Sequence, residues 1–367
     1  MFAPLVEKLR RVIQSWATRE LSYAGMLQLV KTVLGGIVSF WNQMFLLLEG
    51  VIKQVEGICR NFLWSGKDTG RKNLVAWEVV TLPLEEGGLG VKEVLSWNKS
   101  IFIKLAADIV LGKQNVWTLW VHCNLLRGRD IWDVQPKQTD TWTWKRLLKV
   151  LHEFKDLISL QPGIHFSQPN GVDFNQFCHV NGTVSSSMVY EVLRTKRNTT
   201  VWGKYIWKGI QCRRWVFIMW IALHGRLYTR KRMQDRGLLD SAECALCDTG
   251  EETESHLWFE CVYVKEVMDI IFKWVDISSR ERSLGGWMEW FGGDNATRSL
   301  KFQCKLLVFV AIVYFTWKSR NRVVHGAGKW SPSECALEIR RKCSDRMLAK
   351  CKFTSTVDRA WRDFLGV

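Results

Sequence analysis

Apolar residues recur at three- and four-residue spacing along much of the chain, the mark of helices with one buried face. Between Leu21 and Trp41 the series Leu27, Val30, Leu34, Ile37, Val38 and Trp41 predicts a helix, which Gly35 and Gly36 weaken in its middle. Val51, Val55, Ile58, Phe62 and Leu63 predict a second, ending near Ser65-Gly66, where glycine can adopt the left-handed conformation that closes a helix. The polar run 67–73 then reads as a loop, 91–111 as a helix entered from a glycine turn, and 187–194, 302–317 and 333–350 as further helices. Only six prolines interrupt 367 residues. The predicted fold class is therefore mainly α, a multi-segment helical protein with a small metal-binding module.

The breaks carry less chemistry than they first suggest. Gly87-Gly88-Leu89-Gly90 has the look of a phosphate cradle, but no Lys-Ser/Thr follows and no strand leads in, so it reads as a turn. Pro162, Gly163, Pro169, Asn170, Gly171 and Gly182 make 161–182 the best candidate boundary in the chain. The longest apolar runs, 215–223 and 306–315, fall short of the roughly 20 residues that span a bilayer, so no membrane partner is expected. The N-terminus shows no apolar signal region. An intracellular, nuclear or cytoplasmic location is expected from this, with the sequons at Asn98, Asn181, Asn198 and Asn295 unused.

Eleven cysteines, mostly widely spaced, suit free thiols and a metal site better than a disulfide framework. Four donors fall within eighteen residues: Cys244, Cys247, His256 and Cys261, spaced Cys-x2-Cys-x8-His-x4-Cys. Thiolate and imidazole at this spacing suit one Zn2+, and four protein ligands leave no open position for substrate, so a structural ion is expected. A zinc deaminase would also need an upstream His-x-Glu, which none of the seven histidines provides. His122-Cys123 and Cys178-His179 are neighbours in sequence only, and adjacency does not make a nucleophile and base pair. Cys335, Cys343 and Cys351 advance about 80° per step around a helix and should not converge on one ion.

Charge adds a partner. Lys and Arg number 52 against 36 Asp and Glu, a net +16 that favours a polyanion. The segment 194–236 holds twelve of these cations against the single Asp235, a balance of +11. Its candidate nucleic-acid contacts are Arg194, Lys196, Arg197, Arg213, Arg214, Arg226, Arg230, Lys231 and Arg232. The aromatic residues among them, Trp202, Tyr205, Trp207, Trp215, Phe217, Trp220 and Tyr228, could stack on bases but read better as core. In contrast, 237–262 carries seven acidic residues and no Lys or Arg, so the zinc loop should repel phosphate.

These features together resemble the C-terminal part of plant LINE-type, non-LTR retroelement reverse transcriptases. The resemblance rests on Leu21-Ser22-Tyr23-Ala24-Gly25, Phe62-Leu63-Trp64-Ser65-Gly66, Gly87-Gly88-Leu89-Gly90 with Trp97-Asn98, and Gly225-Arg226-Leu227-Tyr228-Thr229. It continues through the zinc ligands with Glu252-Thr253-Glu254-Ser255-His256-Leu257, and through Trp317-Lys318-Ser319-Arg320-Asn321. It implies a thumb-like helical region at 1–66, a helical connector at 67–181, a reverse transcriptase zinc-binding domain at 182–270 and a C-terminal helical region at 271–367. Tyr228 stands where relatives usually have Pro, a departure from the family pattern at that turn. No adjacent Asp-Asp pair occurs, so the palm carboxylates of two-metal phosphoryl transfer are missing from these residues. The expected function is a non-catalytic zinc-binding fragment that binds RNA or DNA. The alternative is a protein-interaction module that docks a polymerase core or another protein through the acidic loop and a Trp-rich surface.

Overall fold

The predicted apolar stripes are the buried faces of helices, in a computed structural model that describes residues 2–16, 20–70, 73–159, 166–168, 171–278, 281–293 and 299–366. In chain order the helices are α1 (Ala3–Gln14), α2 (Tyr23–Leu29), α3 (Gly35–Met44), α4 (Glu49–Ser65), α5 (Trp77–Val80), α6 (Val94–Val110), α7 (Val116–Val121) and α8 (Trp142–Ser159). They continue with α9 (Ser186–Leu193), α10 (Arg213–Leu223), α11 (Arg230–Gln234), α12 (Val262–Val275), α13 (Leu284–Gly293), α14 (Leu300–Val324), α15 (Pro332–Lys350) and α16 (Thr356–Leu365). One small antiparallel hairpin, β1 (Phe166–Gln168) with β2 (Gly171–Val172), is the only sheet among the described residues. The fold is mainly α, as expected. Of the boundary read at 161–182, residues 161–165 and 169–170 lie outside the described residues, as does Asn295.

The chain forms two compact units. The first comprises Met1–Glu20, Met26–Lys72 and Val91–Lys196, and the second Leu21–Gly25, Asn73–Gly90 and Arg197–Val367. This partition follows packing, and it cuts the chain differently from the four family-like segments.

In the first unit Leu5, Val6, Leu9 and Ile13 of α1 pack towards α4, whose buried face is Ile52, Val55, Ile58, Phe62 and Leu63. Gly66 ends α4 with φ +72 and donates its N–H to Phe62 O at 2.9 Å, the left-handed stop anticipated from sequence. The Gly35-Gly36 interruption is absorbed by a π turn over Val30–Leu34, so helix runs without a break from Tyr23 to Met44. Asn98, fully enclosed in α6, accepts from Leu47 N at 2.8 Å and donates to Phe45 O at 2.9 Å. Its amide thus ties down the chain leaving α3, which leaves no exposed nitrogen for a glycan. Helix α8 buries Trp144, Leu147, Leu148, Leu151, Phe154 and Ile158, and Phe154 and Trp132 both stack on Phe174.

The second unit is built around α14, in which every residue from Leu306 to Trp317 is buried. Helices α10, α12, α15 and α16 pack against it. Tyr263 of α12 and Ser319 of α14 share a buried hydrogen bond of 3.0 Å. By length and composition Tyr23–Met44 and Leu300–Val324 are helices long and apolar enough to cross a bilayer, longer than the apolar runs inside them, a test that the buried core helix of a soluble protein also passes. The apolar window of α14 is 72% buried inside the protein, and that of the earlier stretch 28%.

The Gly87–Gly90 turn is a packing device. A Cβ on Gly88 would lie 2.0 Å from Leu82 O, so only glycine fits. Gly87, at φ +84, offers its carbonyl to the indole N–H of Trp220 (2.8 Å) and to His224 Nε2 (2.9 Å) of the α10 segment.

Candidate metal centre

The four donors predicted from sequence converge. One ligand atom from each of Cys244, Cys247, His256 and Cys261 lies within 4.8 Å of the others. Cys244 and Cys261 Sγ are 3.9 Å apart, and Cys247 Sγ is 3.3 Å from His256 Nε2. Tetrahedral Zn2+ with bonds of about 2.3 Å to sulfur and about 2.0 Å to nitrogen needs separations of about 3.8 Å and 3.5 Å. The donor set and its spacing therefore fit that ion.

Local structure explains the convergence. Glu243 and Glu251 pair as an antiparallel bridge, Cys244 N–H donates to Gly250 O, and Asp248 N–H donates to Cys244 O, each at 2.9 Å. Asp248 and Gly250 adopt positive φ of 56° and 70°, which reverses the chain within three residues and returns it towards His256. The second pair of ligands depends on a feature that no spacing rule reveals. Five residues on an α-helix would leave two side chains about 140° apart. Here His256–Glu260 forms a π turn, closed by Cys261 N–H to His256 O at 2.7 Å, and the wider turn brings both ligands to one side.

The electrostatics favour thiolate at Cys244. Its pKa is lowered to about 5, chiefly because Cys261 hydrogen-bonds to it and further because the backbone N–H groups of Cys247 and Leu246 point at it, against the cost of burial. Cys261, buried and sharing that bond, is raised.

A residue that sequence reasoning placed among the phosphate-repelling acids proves to be the centre of the local architecture. Glu252 is fully buried. Its Oε1 accepts from Arg320 Nη2 at 2.6 Å, Arg320 Nε at 2.9 Å and Arg230 N at 2.8 Å, and its Oε2 accepts from Ala245 N at 3.2 Å. One carboxylate thus ties the cysteine knuckle, the first turn of α11 and the core helix α14 together. Arg320 is only 3% exposed, so the pair is neutralised and desolvated. The signal was present: the Glu252–Leu257 and Trp317–Asn321 motifs that carry the family resemblance are the two halves of this contact. Glu254 is not an exposed charge either, because burial raises its pKa to about 7 against the pull of Arg232, the Leu227 amide and Arg226.

The nine predicted basic contacts separate into distinct environments. Arg194 and Lys196 belong to the first unit, and Arg194 Nε pairs with Glu191 at 2.6 Å. The other seven belong to the second. Arg213 Nη1 donates to Trp207 O, Arg230 Nη1 to Glu243 O and Arg232 Nη1 to Gly225 O, so these three brace the fold. Arg214 lies over the Tyr314 ring. Arg197 and Arg226 are exposed, and Lys231 faces Asp235 and Glu251, each at 3.5 Å. Arg226, Arg232 and Arg236 stand near enough that their mutual repulsion, after burial, lowers the pKa of Arg232. Tyr228, the departure from the family pattern, packs its ring under Arg236, and Thr229 caps α11 through its Oγ1. Of the aromatic residues in 202–228, Tyr205, Trp207, Trp215, Phe217 and Trp220 are buried, as the sequence favoured.

Two comparisons bear on this geometry. Residues 184–267 match the family described as zinc-binding in reverse transcriptase, and the match contains all four donors. A protein of Arabidopsis thaliana, provisionally named a ribonuclease H protein, is 30% identical over 149 residues, which is 40% of this chain. The matched stretch spans 24% of that relative's length.

Proposed function

We propose that this chain is a non-catalytic, zinc-binding part of a LINE-type retroelement reverse transcriptase, and that its knuckle holds a basic surface in place for RNA or DNA. The observation that carries this reading is the Glu252 carboxylate, which joins the Cys244–Cys247 knuckle to the N-terminus of α11. Bound at Cys244, Cys247, His256 and Cys261, one Zn2+ would supply a closed structural coordination shell. Helix α11 and its flanks then present Arg226, Lys231 and Arg236 to phosphates. Arg197, Lys196 and Arg214 extend the cationic surface within their own units. The four segments 1–66, 67–181, 182–270 and 271–367 are proposed as the modules of origin, and the protein as intracellular, without a membrane partner.

The alternative, docking of a polymerase core through the acidic loop and a Trp-rich surface, loses support where Trp207, Trp215 and Trp220 are enclosed and Glu252 is paired. The test is a salt titration of binding to RNA and DNA. Replacing Arg226, Lys231 and Arg236 with Ala should weaken binding to every sequence and lower the slope of log affinity against log salt. The expected change is roughly 0.7 to 0.9 for each phosphate that is no longer neutralised. An unchanged slope in a folded triple variant would refute the assignment of this surface.

A further inference from the structure

The first unit carries a second cationic site, outside the segment to which the sequence drew attention. The loop 135–138 and the outer face of α8 form the two walls of a cleft of about 550 Å³. Lys137 lines one wall, and Lys145, Arg146 and Lys149 line the other. The spacing of Lys145 and Lys149 places them one helical turn apart on the same face. Lys145 Nζ donates to Gln138 O at 2.6 Å and so bridges the two walls.

Two carboxylates also line the cleft, Glu153 and Asp156. Glu153 is already shared between Lys99 at 2.8 Å and Lys149 at 3.9 Å. Among the described residues no carboxylate lies within ion-pair distance of Lys137, Lys145 or Arg146, and Arg146 Nε has no hydrogen-bond partner. With four cations against two carboxylates along its walls, the cleft keeps a net positive charge, and a third carboxylate, Asp140, accepts from the Lys137 backbone N–H at 2.7 Å. One helical turn before Arg146, which lines the cleft, Trp142 is 43% exposed, with the Arg146 guanidinium 5.7 Å from its ring centroid.

We infer that this cleft binds single-stranded nucleic acid, with phosphates against Lys137, Lys145 and Lys149 and one base on Trp142. A cationic groove beside an exposed aromatic ring is the combination that holds an unpaired strand, because every base has a face to stack and every linkage a phosphate. Double-stranded nucleic acid would use the lysines but leave Trp142 idle. The inference rests on the nucleic-acid reading above but on a different surface, whose helix is held by an apolar core.

The test uses the full zinc-loaded chain and a fluorescein-labelled oligouridylate, followed by anisotropy over a salt series. Substituting Lys137, Lys145 and Lys149 together by Ala should lower the salt slope by about 2, at roughly 0.7 per neutralised phosphate in a single strand. Trp142→Ala should weaken binding roughly fivefold or more, and Trp142→Phe should restore most of it. In the wild-type chain a 4-thiouridine oligonucleotide should photo-cross-link to the peptide spanning 137–149, a readout that needs no variant. If the lysine variant keeps its fold and the parent slope, or the cross-links fall elsewhere, the inference is overturned. Binding to phosphatidylserine vesicles in place of the oligonucleotide would overturn it too. Should the α8 variant bind as the parent does while the α11 variant fails, the earlier reading stands and this one falls. The reverse result would have the opposite meaning, and failure of the wild-type chain to bind would remove both.

Discussion

Helices α8 and α11 both present clustered cations, but they are supported in opposite ways. Helix α8 is eighteen residues long and buries Trp144, Leu147, Leu148, Leu151, Phe154 and Ile158, so its charged face rides on an apolar stripe. Helix α11 has five residues and buries none of them. A helix that short has no stability of its own in water. Its position comes from polar attachments: Thr229 at its cap, the Glu252 carboxylate on Arg230 N, and the Arg230 and Arg232 side chains on backbone carbonyls. The difference teaches that similar surface chemistry can rest on bulk hydrophobic burial or on a few directional bonds, and only the second kind should respond sharply to removal of a single group.

The largest expected effect is that of removing the metal. Chelation, or Cys244→Ser, should strip hydrogen-exchange protection from 230–234 and 244–261 while leaving 142–159 as protected as before, because metal binding and local folding are linked. Equal loss of protection in both regions would break the comparison, and elemental analysis finding no zinc in chelator-free protein would remove its basis.

Next in size is the buried pair. Glu252→Gln or Arg320→Met alone should cost about 3–5 kcal/mol in a urea melt, since each leaves a desolvated partner unpaired. The double variant should lie closer to the parent than either single one, because the uncompensated charge is gone. A double-variant destabilisation equal to the sum of the two single ones would show that the two side chains act separately and that Glu252 is no hub.

Smallest is the exposed pair of Lys231 with Glu251. Glu251→Gln should leave the urea unfolding midpoint essentially unchanged, since solvated ion pairs contribute little. Nucleic-acid binding should stay the same or tighten, since an acid beside the cationic surface has been neutralised. A clear loss of binding with zinc retained would move the binding surface to the acidic loop.

Much of this was legible before the structure. The apolar period located α4, α6, α9 and α15 to within a few residues and the start of α14, though it stopped that helix at 317, seven residues short of Val324, and Gly66 marked the end of α4, because these signals lie within single helical turns. Partnerships across the fold were not legible. An acidic residue between two other acids in a polar loop reads as solvated, and the burial of Glu252 depends on Arg320, 68 residues away. The cations of α8 obey a related rule: alternating with Leu and Val in an amphipathic helix, they have the pattern of an ordinary wet face, and only the fold brings loop 135–138 over them.

The sequence by itself determined the mainly helical class, the donor set Cys244, Cys247, His256 and Cys261, and the excess of positive charge, since periodicity, short-range ligand spacing and composition are properties of the chain. Tertiary structure decided which cations brace backbone carbonyls and which meet solvent, which carboxylate is buried, and how His256 and Cys261 come to face the same point through a π turn. Those outcomes depend on desolvation and on contacts between residues distant in sequence. A side chain's charge is known from its letter, but the cost of leaving that charge unpaired is set only by what surrounds it in the fold.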